Sequence, residues 1–260
     1  LSLVNSLHVL GDGYLILIIL NKKFMWSLLI SILVVTLVLL EFTTLKIVVK
    51  SYNFDTLLGK TIVIDPGHGG IDGGTYYEEI LEKNINLDIS LKLKHELMKK
   101  GAIVVMTRVA DESLDDHINN GSRHKEDLNK RVEIVNNSDA DLVVSMHVNY
   151  SKNSNKQGPI IYYHSSDEES RDLAECLQKN LNQLSAYRKM GKKINFSTVP
   201  GNYYMLGNTI VPGVIIEAGF ISNEVDRKLL LNNKHQREIV NHIIRGVVEY
   251  FGVTRYAERG

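Results

Sequence analysis

The sequence predicts an α/β fold, a three-layer sandwich with a mainly parallel central sheet, preceded by one N-terminal transmembrane helix. From Gly59 onward, short β-branched runs alternate with longer segments of helical periodicity, the pattern of strands joined by crossover helices. Residues 24–40 form a run of about 17 residues, nearly all apolar, close to the minimum that spans a bilayer. The 260 residues, 44% hydrophobic and 23% charged, suffice for one full core and an appendage.

In chain order, residues 1–23 are set apart as an N-terminal extension. The chain opens on leucine and carries a first apolar stretch, Tyr14 to Leu20, before Asn21-Lys22-Lys23. If Leu20 stands for an alternative start codon, those lysines become a basic lead into 24–40. Lysines before the run and Glu41 after it direct the C-terminal part out of the cytoplasm. Large residues follow throughout, with no small-x-small pattern, so an uncleaved signal anchor is expected rather than a removed signal peptide. Residues 41–59 read as a linker and 60–252 as the soluble domain, with 253–260 as a tail.

Within the domain, 61–65 is the first strand, stopped by Pro66-Gly67. Residues 81–100 carry apolar side chains at Ile85, Ile89, Leu93 and Leu97, with Gly101 just beyond, a helix and its stop. A second strand follows at 103–106. Residues 111–125, rich in Asn, Asp and His, read as an exposed loop, and 128–137 as a short helix. Strands are expected at 142–146, 160–163 and 212–217, helices at 168–184 and 234–251, and irregular chain at 185–202.

Thirty basic and thirty acidic residues cancel, and no basic stripe interleaved with aromatics points to nucleic acid. The single cysteine, Cys176, excludes an intramolecular disulfide and a cysteine-based metal cluster. Its neighbours Leu173, Ala174 and Leu177 assign it to packing.

The chemistry concentrates at the strand ends. The stretch from Ile62 to Gly74 holds five glycines, two aspartates and His68. The glycines beside His68 leave room for a metal or a substrate to approach it. His147 follows the third strand and Glu217 ends the last. In a largely parallel sheet these ends share one edge, where α/β folds bind ligands. Two imidazoles begin a zinc site, which needs a third protein ligand if the fourth position is to stay open. Glu78, Glu79 and Glu82 all lie near enough, and spacing does not choose among them. The phosphate-cradling glycine motifs and the His-Glu-x-x-His helix are absent. Asp65 and Asp72 read as turn residues whose carboxylates bond backbone N–H groups, with support of His68 as the lesser alternative. His95, His117, His124, His164, His235 and His242 are assigned to surface or loop.

Asp65-Pro-Gly-His-Gly-Gly70, Glu82-Lys-Asn, Thr107-Arg108, Leu128 with Arg131, Ala140-Asp-Leu142, Ser145-Met-His-Val-Asn149 and Ile216-Glu-Ala-Gly-Phe-Ile-Ser-Asn223 resemble, in order, the signature blocks of the zinc-dependent N-acetylmuramoyl-L-alanine amidases of the amidase-3 type. The resemblance covers residues 60–252. It implies one Zn²⁺ held by His68, Glu82 and His147, with Glu217 as catalytic acid/base, and a substrate of peptidoglycan glycan strands and stem peptides. The run Arg123 to Arg131, and a hydrophobic segment joined to a bare catalytic domain, resemble the germination-specific, spore-cortex members. That implies cortex maturation towards muramic-δ-lactam and an activating partner protein. It also implies membrane attachment with the domain at the wall face or in the forespore intermembrane space. Two departures, Tyr76-Tyr77-Glu78-Glu79 ahead of Glu82 and Ala218 after Glu217, bear on substrate fit. The competing readings are another zinc peptidoglycan peptidase, such as a carboxypeptidase, and an inactive wall-binding homologue.

Overall fold

The computed structural model describes residues 22–54, 56–115, 122–191 and 195–257. Most of the expected N-terminal extension, His117 and the last three residues lie outside them. The chain divides into two compact units, Leu1–Asn53 and Phe54–Gly260. In the first, helix α1 (Lys22–Phe54) contains the stretch Lys23–Glu41, which is long and apolar enough to cross a membrane; among the described residues no other helix is. The helix continues past the apolar run, through most of the expected linker. No glycine or proline lies between Glu41 and Phe54 to stop it.

The second unit contains β1 (Thr61–Pro66), the short hairpin β2 (Tyr76–Tyr77) and β3 (Ile80–Leu81), α2 (Glu82–Met98) and β4 (Ile103–Met106). Next come α3 (Arg123–Asn136), β5 (Leu142–Asn149), β6 (Ile160–His164), α4 (Glu168–Leu181) and α5 (Ser185–Lys189). The chain then forms β7 (Val199–Gly201), α6 (Tyr204–Asn208), β8 (Gly213–Phe220), α7 (Glu224–Leu230) and α8 (Asn233–Ala257). Six strands make one sheet in the order β4-β1-β5-β8-β6-β7. All neighbours are parallel except β6 against β8, which bears out the α/β fold and the mainly parallel sheet.

Side-chain alternation divides the sheet into unequal faces. Ile62, Ile64, Leu142, Val144, Met146, Val214 and Ile216 join the apolar sides of α2, α4 and α8 in the main core. The opposite face carries a smaller cluster of Val63, Val143, Val135 of α3 and Met205 of α6. The functional candidates on the strands share that thinly covered face. Parallel register pairs Asp65 with Ser145, Ser145 with Ile215, and His147 with Glu217.

The structure departs locally from the sequence reading. Helix α3 starts at Arg123 inside the expected loop, its N-terminus capped by Ser122, whose side chain accepts from Lys125 N. A polar first turn hides such a start from apolar periodicity, although the cap residue marks it. The stretch 185–202 contains α5 and β7. His235 and His242, assigned to the surface, are 4% and 7% exposed. They share a face of α8 with Ile239 and Ile243, at the helical spacing that faces the core.

Helices α4 and α8 meet closely at Gly246, where an added Cβ would lie 2.8 Å from Leu177 Cα and 3.1 Å from Cys176 O. Gly246→Ala should therefore destabilise by roughly 1–3 kcal/mol through overpacking, outweighing roughly 1 kcal/mol of helix propensity gained. Urea denaturation measures the change, and an unchanged or higher midpoint would show that α4 moves aside freely.

Candidate metal centre

Strand β1 ends at Pro66, and the chain turns sharply over the sheet edge. His68 has φ 61°, a left-handed backbone unusual for a residue with a side chain. Two glycines make the tight packing possible. A Cβ on Gly67 would stand 2.2 Å from the His147 ring, and one on Gly74 2.6 Å from both Glu82 Oε2 and His68 Cδ2. The glycine-rich loop thus lets three side chains crowd together.

Glu82 opens α2, where a carboxylate suits the positive helix end, and its side chain is buried. Its Oε1 lies 3.3 Å from His68 Nε2 and 3.0 Å from His147 Nδ1. The same oxygen accepts from Val148 N at 3.0 Å and Asn86 Nδ2 at 3.2 Å, and Oε2 accepts from Thr75 N at 2.8 Å. The two imidazoles meet edge to face, with ring centroids 5.0 Å apart. One potential ligand atom from each of His68, Glu82 and His147 falls within 4.8 Å of the others. Glu78 and Glu79 sit exposed on the turn between β2 and β3, outside this cluster.

Asp72 Oδ2 lies 2.7 Å from His68 Nδ1. An ionised carboxylate only accepts, so Nδ1 carries the proton and the tautomer aims Nε2 at Glu82. Asp72 is itself held by Gly74 N, which donates to Oδ1 at 3.0 Å. Burial pulls the His68 imidazole down, but hydrogen bonds and charge from Glu82 and Asp72 outweigh it and push the ring up to about 9. Burial opposes ionisation of Glu82 as well, yet the two histidines hold its carboxyl well below the usual range. The donor set of two imidazoles and one carboxylate fits a zinc ion with an open position.

Glu217 stands across the strand pair from His147. Its Oε2 is buried without a hydrogen-bond partner, an orphan that usually marks a functional group or a missing ligand. Burial pushes its carboxyl up to about 7; His147 and His68 oppose the rise and Glu82 adds to it. A cleft of about 220 Å³ opens beside His68 and His147, lined also by Asp127 and Leu128 of α3 and by Tyr203, Tyr204 and Met205.

His68, Glu82 and His147 therefore converge, with Glu217 beside them. Several supporting residues were not singled out from sequence. Asn86 bridges Glu82 and Gly67 O and sits one helical turn after Glu82, a spacing that could have flagged it. Tyr203 comes from the stretch around α6 that has no periodic signal. Arg108, Arg131 and Ser145 stand within the motif blocks, but their buried bonding to the loop has no signature in spacing.

The sequence model of the N-acetylmuramoyl-L-alanine amidase family matches residues 62–249. The germination-specific N-acetylmuramoyl-L-alanine amidase of Bacillus subtilis (strain 168) is 35% identical over 75% of this chain and 81% of its own length. Among solved structures, the CwlD amidase from Clostridioides difficile in complex with the GerS lipoprotein superposes with a TM-score of 0.70 at 36% identity, covering 75% of this chain and all of that one. The catalytic domain of CwlV, an N-acetylmuramoyl-L-alanine amidase from Bacillus (Paenibacillus) polymyxa var. colistinus, gives 0.63 at 28%, covering 75% of this chain and 99% of that one. With the ordered motifs, the fold and the His-Glu-His cluster in agreement with these matches, the chain belongs to the N-acetylmuramoyl-L-alanine amidase family, metal-dependent hydrolases of peptidoglycan.

Proposed function

We propose that this amidase uses one zinc ion, held by His68, Glu82 and His147, with Glu217 as general acid/base. We further propose that its substrate is the spore cortex, processed towards muramic-δ-lactam. The observation that carries the first part is the convergence of the three donors within 4.8 Å beside an unpartnered carboxylate. Zinc bound there would supply Lewis acidity towards the amide carbonyl and the attacking water. Glu217, poised by burial near neutral pH, takes the proton from water as its oxygen attacks the lactyl carbonyl carbon. The C–N bond to L-alanine then breaks, and Glu217 delivers the proton to the departing nitrogen. Asp72 holds the His68 tautomer through the cycle, and the cleft lined by residues of α3 and α6 receives the substrate beside the three ligands.

The likeness to the germination-specific relative supports the cortex assignment, and the lipoprotein complex of the C. difficile relative supports an activating partner for this chain. In the proposed organisation, residues 24–40 are an uncleaved signal anchor, 41–59 join it to the catalytic domain at 60–252, and 253–260 form a tail. The domain faces the wall or the forespore intermembrane space.

Digestion of purified cortex and vegetative peptidoglycan by the detergent-solubilised protein, followed by mass spectrometry, tests the reaction. Free stem peptides beside intact glycan are expected, and faster from cortex. Shortened peptides still attached to glycan would mean a peptidase instead.

Substitutions separate the roles. Glu82→Ala should lose zinc and activity together, whereas Glu79→Ala should keep zinc. Glu217→Gln should keep zinc and lower turnover by roughly 10²–10⁴-fold, the usual worth of a general acid/base. Metal content and kcat on the same preparations check all three; zinc retained in Glu82→Ala, or near-normal turnover in Glu217→Gln, would overturn that residue's assignment.

Protease added outside protoplasts, or to the intermembrane space of forespores, should digest the catalytic domain of a protein that sediments with membranes. Protection while the membrane is intact would put the domain on the cytoplasmic side.

A further inference from the structure

Three consecutive carbonyl oxygens, at the end of β1 and in the loop after it, meet two buried guanidinium groups. Arg108 donates through Nε to Pro66 O at 2.8 Å and through Nη2 to Gly67 O at 3.0 Å and Lys83 O at 2.9 Å. Arg131 donates through Nη1 to Pro66 O and through Nη2 to His68 O, both at 2.8 Å. Each arginine is 2% exposed. Two like charges buried side by side oppose each other, and burial, with the charge of Arg131, draws Arg108 down to about 10. Compensation comes from Asp65, which accepts from Arg131 Nη1 at 2.7 Å, and from Asp127, which accepts from Nε at 2.6 Å. A hydrophobic filling of this space would avoid the desolvation of four charges. What the arginines provide that apolar side chains could not is a rigid planar fork of donors aimed at backbone oxygens.

The loop they grip includes the residue whose backbone is strained. His68 adopts φ 61°, a conformation that persists in a residue with a Cβ only where the surroundings over-determine it. Arg131 Nη2 bonds the carbonyl of that same residue, and Arg108 bonds the carbonyl just before it. Lys83 O, held by Arg108, adjoins Glu82, so one guanidinium touches the chain segments that carry two of the three clustered donors.

We propose that Arg131, backed by Arg108, is a positioning residue of the metal centre. The clasp keeps His68 left-handed, so that Nε2 faces Glu82 and His147 before an ion arrives, and zinc then binds a preformed site. The inference rests on the proposed role of His68 as a ligand. Loosening the clasp leaves the donors in place but costs affinity, because the loop must be ordered at the moment of binding.

The test uses the full-length protein in detergent. Arg131→Lys keeps the positive charge beside Asp65 but cannot reach Pro66 O and His68 O together. The expected result is a folded apoprotein whose zinc affinity, measured by competition with a chelator, falls roughly 10–100-fold, as for other residues that orient metal ligands. The visible spectrum of the Co²⁺-substituted variant should shift, reporting altered ligand geometry. Gly246→Ala, placed in the main core away from the loop, should keep wild-type zinc affinity, which separates positioning from general destabilisation. If Arg131→Lys does not fold, Asp127→Asn, which frees Arg131 Nε at the more exposed end of the network, should weaken zinc binding in the same direction. Wild-type zinc affinity together with a wild-type Co²⁺ spectrum in the folded clasp variant overturns the proposal. A wild-type protein that takes up neither metal overturns the ligand assignment beneath it.

Discussion

The carboxylate of Asp65 ties together the elements on which the site is built. It stands on β1 and accepts from Thr107 just after β4, from Ser145 on β5 and from Arg131 on α3. The ion pair with Arg131 is almost fully buried, and removing one partner of such a pair typically costs about 3–5 kcal/mol because the other charge is left uncompensated. Burial opposes ionisation of Asp65, but Arg131 and the two hydroxyl donors hold its pKa at about 2, below its ordinary 3.8. The sign of the linkage follows: the stabilisation is fully present above pH 3.8 and fades as pH falls through about 2. At any pH where a wall hydrolase works, the knot is intact.

Above that knot, two carboxylates, Glu82 buried and Glu217 partly buried, have been driven apart in character. Glu82 accepts from two N–H groups of the backbone and the Asn86 amide, faces both imidazoles, and stays ionised. Glu217, across the strand pair from His147, has an orphan oxygen and a carboxyl raised to about 7. A permanently charged carboxylate suits a metal ligand, while one that titrates near neutrality suits proton transfer. The division of labour proposed for the two residues thus has a local electrostatic origin.

The unequal covering of the sheet makes room for this chemistry. One face packs against α2, α4 and α8 in a continuous apolar core, while the other keeps only a small cluster with α3 and α6. Polar residues on the second face, Asp65, Ser145, His147 and Glu217, occupy positions that a more stable protein would fill with aliphatic side chains. Local departures from optimal packing of this kind are expected where a fold carries function.

Much of this was legible in the sequence. Apolar periodicity marked the five main strands and the long helices, and Pro66-Gly67 with the following glycines marked a crowded turn around His68. Convergence of His68, His147 and Glu217 followed from strand ends sharing one edge of a parallel sheet. These features are local, or depend only on chain direction, so a linear pattern contains them. Other features depend on what each segment meets in space. Periodicity gave no sign that β6 runs antiparallel, that 76–81 form a hairpin leaving Glu78 and Glu79 exposed, or that His235 and His242 turn into the core. Residue type and spacing by themselves determined the fold class and offered three glutamates beside two histidines. The family resemblance singled out Glu82 among them; only the tertiary structure decided that Arg108 and Arg131 grip the loop, because hydrogen bonds between residues far apart in the chain exist only once packing has set their distance.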